Sequence, residues 1–280
     1  MTIELGPLGA YLTAAEATAT DAVALEEAGY GAIWLAASPT ADLLSAERLL
    51  DATNRIVVGT SVLNVWQADA ETVADSYHRI AAGHPDRLLI GIGAGHREIN
   101  AGYTSPVAKV AGYLDTLTAA GVPADRVLLA ALGPKMLRLA AERAAGTLTL
   151  QVTPEHTRRA REALGPTKLV VPGHGVVLDA DADRARETGR AGLRQILGIA
   201  NYANNLRRIG YTDDDLTDPF SDRLIDVLVF HGEAPAIAAG IHTEITAGAN
   251  HVGLHAAGED PIGVLRAIAA AARELEVLRA

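Results

Sequence analysis

The chain contains no cysteine, which excludes a disulfide scaffold, thiolate zinc or iron–sulfur ligation, and a cysteine nucleophile. Aromatic residues are scarce too, at 4% of 280 residues, with two tryptophans, two phenylalanines and seven tyrosines. The core must therefore be built largely from Ala, Leu, Val and Ile, and each aromatic side chain becomes worth locating. Positive charge is in deficit: 24 Lys and Arg stand against 34 Asp and Glu, a formal net charge of −10. A surface of that sign gains nothing from nucleic acid or an anionic membrane, so an anionic ligand needs a local site. No stretch approaches the ~18 uninterrupted apolar residues of a membrane span. Met1 to Ala10 shows no basic segment followed by an apolar run, so a soluble, cytoplasmic protein is expected.

What is present is a composition with a sizeable core, 49% hydrophobic and 21% charged, arranged as short apolar runs that alternate with helical patterns. Strand one is read at Ile3 to Leu12, with a helix from Thr13 to Ala28 closed by Gly29. Ala32 to Leu35, Arg55 to Ser61 and Arg87 to Ile92 read as strands two to four, with helices at 41–52 and 69–82 between them. A Gly-rich irregular stretch then precedes a helix ending near Ala120. Strands five to seven are expected at Arg126 to Ala131, Thr147 to Val152 and Lys168 to Leu178, with helices at 134–145 and 154–164. More than one helix fills the region from Asp181 to about Gly240. The chain closes with helix Ala234 to Ala247, strand His251 to His255 and helix Pro261 to Leu278. Eight β-then-α units without a linker or composition shift predict one (β/α)8 TIM barrel domain spanning 1–280, with insertions after strands four and seven. An open doubly wound sheet alternates in the same way, but eight units and a closing strand–helix pair favour the barrel.

In a barrel the chemistry sits at the C-terminal strand ends. After strand four stands Gly91-Ile92-Gly93-Ala94-Gly95-His96: glycines there let backbone N–H groups approach a phosphate or planar ring, or simply make a turn. As a dinucleotide fingerprint it is broken by His96. After strand five, Leu132-Gly133-Pro134-Lys135 places a proline at the first helical position, so the helix N-terminus is either an anion site, with Lys135 and Arg138 at hand, or an ordinary βα turn. Strand three ends in Thr60, Ser61 and Asn64, followed by Trp66, which fits a stacking wall, the core or a contact between copies. The nine histidines make no metal cluster by spacing, the first strand has Gly9-Ala10-Tyr11-Leu12 in place of H-x-H, and no G-x-S-x-G nucleophile turn occurs.

The ordered set of segments resembles the luciferase-like monooxygenase superfamily, and within it the actinobacterial oxidoreductases that use the deazaflavin coenzyme F420. The segments that carry the resemblance run almost end to end, among them Glu27 to Trp34, Thr53 to Trp66, Asp86 to Gly95, Pro106 to Lys109, Ala130 to Ala140, Val152 to Thr157, Asn201 to Asn205, Ser221 to Leu224 and Ala247 to Val252. The resemblance implies a cofactor, F420 or alternatively FMN, at the C-terminal face. Ser61 and Val62 match the bulge behind its ring, with a cis peptide bond between them expected. Ala94, Gly95, His96 and Asn100 match the strand-four loop, Ala131, Leu132 and Gly133 the phosphate loop, and Leu150, Gln151 and Thr153 the end of strand six. A homodimer through the helices after strands two and three, with Trp66 near the contact, is also implied.

The chain departs from the pattern after strand two, where relatives commonly carry an acid and a histidine and this sequence has Ala36-Ala37-Ser38. His96 is then the expected proton-handling residue. The function implied is hydride transfer between F420 and an organic small-molecule substrate. The alternatives are an FMN-dependent monooxygenase, or a non-catalytic barrel that binds a deazaflavin or flavin.

Overall fold

The pairing of the apolar runs decides the fold. The structure, a computed structural model, describes residues 3–98, 100 and 102–275. Ten parallel strands occur among them: β1 Leu8–Thr13, β2 Ala32–Ala36, β3 Val57–Thr60, β4 Leu63–Asn64, β5 Leu88–Gly93, β6 Val127–Ala130, β7 Gly146–Leu150, β8 Leu169–Leu178, β9 Val229–Gly232 and β10 Val252–Ala256. β10 pairs with both β1 and β8, so the ring β1-β2-β3-β5-β6-β7-β8-β10 closes on itself. The expected (β/α)8 barrel is the fold found. β4 continues beyond β3 and pairs with β5, and β9 lies along the C-terminal half of β8.

Alternate residues of the strands point to opposite sides, as the period of two requires. On β1, Leu8, Ala10 and Leu12 join the layer between barrel and helices, whereas Tyr11 joins the barrel interior with Trp34, Leu89, Leu128, Leu148 and Val171. An interior of eight strands has room for few large side chains. Here Trp34 takes much of it, because a Cβ at Gly9 or Gly59 would collide with its indole. Its Nε1–H donates to His251 Nε2 at 3.0 Å, and His251 Nδ1 donates in turn to the Gly6 carbonyl at 2.7 Å.

Local signals place the helices. Gly29 adopts φ +91° after the helix Ala19–Glu27, the left-handed conformation expected of a glycine that closes a helix. Helices Pro134–Arg143, Pro154–Leu164 and Pro261–Glu274 each begin at a proline. Several expected boundaries shift. β1 starts at Leu8, five residues later than expected, and the first helix starts at Ala19, where Thr18 and Asp21 form a capping box. The expected end of the last helix at Leu278 lies outside the described residues.

The two insertions stand where the sequence put them. The described residues of the first insertion, 94–98, 100 and 102–105, follow β5, the fourth ring strand, without regular structure. After β8 come the helices Ala182–Leu197, Ala200–Arg208, Asp213–Leu216 and Asp222–Leu228. Strand β9, which directly follows, is not expected from sequence, because Leu224, Ile225, Leu228 and Val229 keep a helical spacing. Among the described residues, no helix is long and apolar enough to cross a membrane.

Candidate functional site

At the C-terminal end of the barrel lies a cavity of about 450 Å³. The ends of β3, β5, β6 and β7 supply its wall, and the two insertions supply Tyr103, Asn201 and Tyr202. Ser61, Val62, Ala94, Gly95, His96, Ala131, Leu132, Gly133 and Leu150 all line it, so residues from four strand ends converge as the sequence implied. The Ser61–Val62 peptide bond is cis, as expected.

Three residues named from sequence stand elsewhere. Asn100 is buried behind the loop: its Nδ2 donates to the His96 carbonyl at 2.7 Å, and its Oδ1 accepts from Asn64 Nδ2 at 2.8 Å. It braces the turn at Gly95, where φ is +58° and a Cβ would meet Asn100 Nδ2. Gln151, at φ +50°, turns its amide toward Gly175 on β8. Thr153 caps the helix Pro154–Leu164 through His156 N–H at 3.3 Å. A capping or bracing side chain spends its polar atoms on the backbone, which removes it from the cavity wall.

The cavity has a polar end at residues 131–136. Gly133 is the N-cap of helix Pro134–Arg143, and no side chain caps that helix. Among the described residues, nothing accepts from the N–H groups of Leu132, Gly133 or Lys135, and the space where a Gly133 Cβ would stand is open. Free amides at a helix start carry partial positive charge and favour an anion. Lys135 and Arg208 add two cations to the same lining, in a protein of net charge −10.

The wall near β5 is made of small residues, Gly93, Ala94 and Gly95. A Cβ at Gly93 would sit 2.7 Å from Val62 Cγ2 and 3.1 Å from Ala130 Cβ, so only glycine lets these strand ends close up. Trp66 locks the loop from outside: its Nε1–H donates to the Ala94 carbonyl at 2.8 Å, and its ring packs against Tyr103 at 5.7 Å.

His96 enters the cavity beside Tyr202, with ring centroids 5.6 Å apart. Burial lowers its pKa from the usual imidazole value, opposed by Glu98, so the ring is neutral at pH 7. Its Nδ1 has no hydrogen-bond partner among the described residues. The lining contains no carboxylate, and Glu98 instead meets the start of helix Ala200–Arg208, accepting from Ala200 N–H at 3.4 Å. The two insertions thus touch above the cavity. Ala37 and Ser38, at φ +62° and +53°, bring no titratable group. No group of three or more His, Cys, Asp or Glu able to hold a metal occurs among the described residues.

Tyr103, Met136, Asn201, Tyr202 and Arg208 also line the cavity, none of them a cofactor-binding residue expected from sequence. Scarcity was the usable signal, since tyrosines are few in this chain and two of them face the cavity.

No protein-family model matches the chain, and no curated protein matches it. Solved structures do. An F420-dependent secondary alcohol dehydrogenase in complex with an F420–acetone adduct aligns with a TM-score of 0.73 at 14% identity, over 95% of this chain and 98% of that one. The coenzyme F420-dependent tetrahydromethanopterin reductase of Methanopyrus kandleri gives 0.71 at 15% identity, over 96% and 99%. The oxygenating constituent of 3,6-diketocamphane monooxygenase from Pseudomonas putida, in complex with FMN, gives 0.70 at 15%, over 94% and 96%. The class defined by this likeness is a barrel fold shared by F420-dependent and FMN-containing proteins, matched over nearly its whole length.

Proposed function

We propose that this protein is a luciferase-like oxidoreductase that binds the deazaflavin F420 in the cavity at the barrel's C-terminal end and acts on an organic small molecule. The observation that carries this is the uncapped start of helix Pro134–Arg143, with its free amides and Lys135, opening into the same cavity as His96. The lining fits such a group. An anionic tail suits the amides of Leu132, Gly133 and Lys135, and a planar ring suits the wall of Val62, Gly93 and Ala94. Arg208 as a further cation favours F420, whose tail is strongly anionic, over FMN. When bound, the cofactor supplies or accepts the hydride.

The protein's own residues do the rest. The cradle at 132–135 holds the anion, and the β3 and β5 ends hold the ring plane. The contact between the two insertions, Glu98 with Ala200 and His96 with Tyr202, restricts water. His96, whose pKa burial lowers and which lines the cavity, takes a proton from substrate or, once protonated, returns it. A non-catalytic binding barrel is the second reading, favoured by two observations: among the described residues the lining holds no carboxylate, and Ala37-Ser38 stands where the resemblance implies an acid and a histidine.

Titration of purified protein with F420 and with FMN tests the proposal, followed by an assay for hydride transfer with whichever binds. Tighter binding of F420 and turnover with a small alcohol or carbonyl compound are expected. FMN binding alone moves the protein to the monooxygenase alternative, and binding without turnover moves it to the non-catalytic one. The homodimer is part of the same proposal, and light scattering showing only the 29.1 kDa chain mass at micromolar concentration removes it.

A further inference from the structure

Away from the cradle, the cavity is lined without a permanent charge among the described residues. The two insertions bring His96, Tyr103, Asn201 and Tyr202 to it, and the start of helix Pro106–Ala119 adds Pro106 and Val107. The charged side chains of the same segments are engaged elsewhere. Arg97 lies over the Tyr103 ring at 5.3 Å and Lys109 over the Trp66 ring at 5.3 Å, and neither lines the cavity. Glu98 accepts from Ala200 N–H, and Arg207 donates to Asp213 at 2.8 Å. Arg208 does line the cavity, but it belongs with the cradle. Its carbonyl accepts from Arg159 at 3.4 Å, on the helix whose His156 lies against the Leu132 carbonyl.

This distribution sets which charges a second molecule can carry. The anion of the cofactor takes up Lys135, Arg208 and the free amides, so a further anion finds no cation left to receive it. A cation meets Lys135 and Arg208 and no carboxylate among the described lining residues. Moving an ionised group out of water is costly unless an opposite charge receives it. Volume limits size as well, because about 450 Å³ must hold a planar ring and the substrate together. We propose that the cavity selects an uncharged, compact alcohol or carbonyl compound, and that Val107 is a residue that sets this choice. The choice rests on the function proposed above. The apolar body of the substrate packs against Pro106, Val107 and Tyr103, and its oxygen faces His96. In the oxidative direction the carbinol hydride passes to the oxidised deazaflavin and the hydroxyl proton to His96, and a C=O bond forms.

The test uses three compounds of one shape: cyclohexanol, 4-hydroxycyclohexanecarboxylate and 4-aminocyclohexanol. Each is titrated at pH 7 into parent protein saturated with F420, and then assayed for turnover. Cyclohexanol is expected to bind and to be oxidised, with both ionised compounds weaker by at least ~100-fold in dissociation constant and in kcat/KM. Val107→Asp puts a carboxylate in the first turn of helix Pro106–Ala119, where negative charge suits the helix. That variant should bind 4-aminocyclohexanol at least ~10-fold more tightly than the parent does. Equal binding of the three, preference for an ionised one, or binding of none by the F420-loaded protein overturns the charge selection while the cofactor assignment stands. An unchanged order of affinities in F420-loaded Val107→Asp overturns the role of Val107. A parent protein that does not bind F420 overturns both this inference and the function on which it rests.

Discussion

The Nε2 atom of His156 lies 3.2 Å from the carbonyl oxygen of Leu132, so a buried imidazole holds the loop whose amides form the anion cradle. Nε2 must carry the proton in this bond, which leaves Nδ1 as a lone acceptor without a partner. His156→Ala removes the brace from beneath Leu132 without touching the ligand. Affinity for F420 is expected to fall several-fold, with a stability loss of about 1–3 kcal/mol from the lost side chain. Isothermal titration and thermal melts measure the two separately. Unchanged affinity would show that the cradle holds its shape alone.

His156 and His251 also set how stability depends on acid. Burial is the main cause that depresses both to about 4, against about 6.5 for an exposed imidazole. Between those values the unfolded chain binds protons that the folded protein does not, so acid favours unfolding. The stabilisation is complete above about pH 6.5 and is lost as pH falls toward about 4. Thermal melts from pH 7.5 to 4.5 should show Tm declining below pH 6.5, before exposed carboxylates titrate. His251→Gln should have a lower Tm at neutral pH and a shallower acid decline. A flat profile over that range would contradict the buried, neutral state of both rings.

How much of this was legible in the sequence depended on the distance over which each feature is decided. Helix starts at Pro134, Pro154 and Pro261, and the glycine stop at Gly29, are local chemistry and were readable residue by residue. The convergence of Ser61, Gly95, His96 and Gly133 followed from the rule that barrel strands end on one face. β9 escaped because it is four residues long and its first, Val229, continues the apolar spacing of the preceding helix. Tyr11 escaped for a different reason. The space its ring fills is opened by Gly173 and Gly253, more than 160 positions away in sequence, and no short-range pattern reports a gap opened by distant glycines. Asn100 and Thr153 are expected at the cofactor site by the resemblance alone, and a positional match does not show which backbone group a polar side chain already occupies.

Gly253→Ala tests the packing of the barrel interior. Its Cβ would fall on the Tyr11 ring, and neither strand can retreat without breaking pairing to its neighbours. Overpacking of this kind costs about 1–3 kcal/mol or more, so a drop of several degrees in Tm is expected. Combining it with Tyr11→Ala should recover part of the loss, because the smaller side chain frees the same space. Equal melting of Gly253→Ala and the parent would mean that the ring is not confined there.

Gly133→Asp separates anion binding from folding. The position has φ −100°, allowed for any residue, and open space around the new Cβ. An aspartate there can cap the helix Pro134–Arg143, which changes stability by a few tenths of a kcal/mol relative to glycine. The same carboxylate occupies the free amides and repels an incoming phosphate. F420 binding should therefore fall at least ~100-fold, with Tm unchanged or slightly raised. Parent-like binding would place the anion elsewhere.

His96 is expected to be the proton-handling residue of turnover, and the structure supplies its competitor in Tyr202. The position after β2 carries Ala37 and Ser38, which do not titrate, and the cavity lining holds no carboxylate. Burial keeps Tyr202 protonated, with its pKa pushed up to about 12, so it can donate a hydrogen bond but is a poor base at pH 7. Burial acts in the opposite direction on His96, lowering its pKa and leaving a neutral ring that accepts a proton readily. His96→Ala should lose ~100-fold or more in kcat while keeping F420 affinity, and Tyr202→Phe should lose far less. In the direction that removes a proton from substrate, kcat/KM of the parent should fall on acidification as the imidazole becomes charged, at a pH below that of a free imidazole, and His96→Ala should lack that limb. Retained kcat with weakened binding in His96→Ala would make the imidazole a cofactor contact instead, and a larger loss in Tyr202→Phe would transfer the proton role to the phenol.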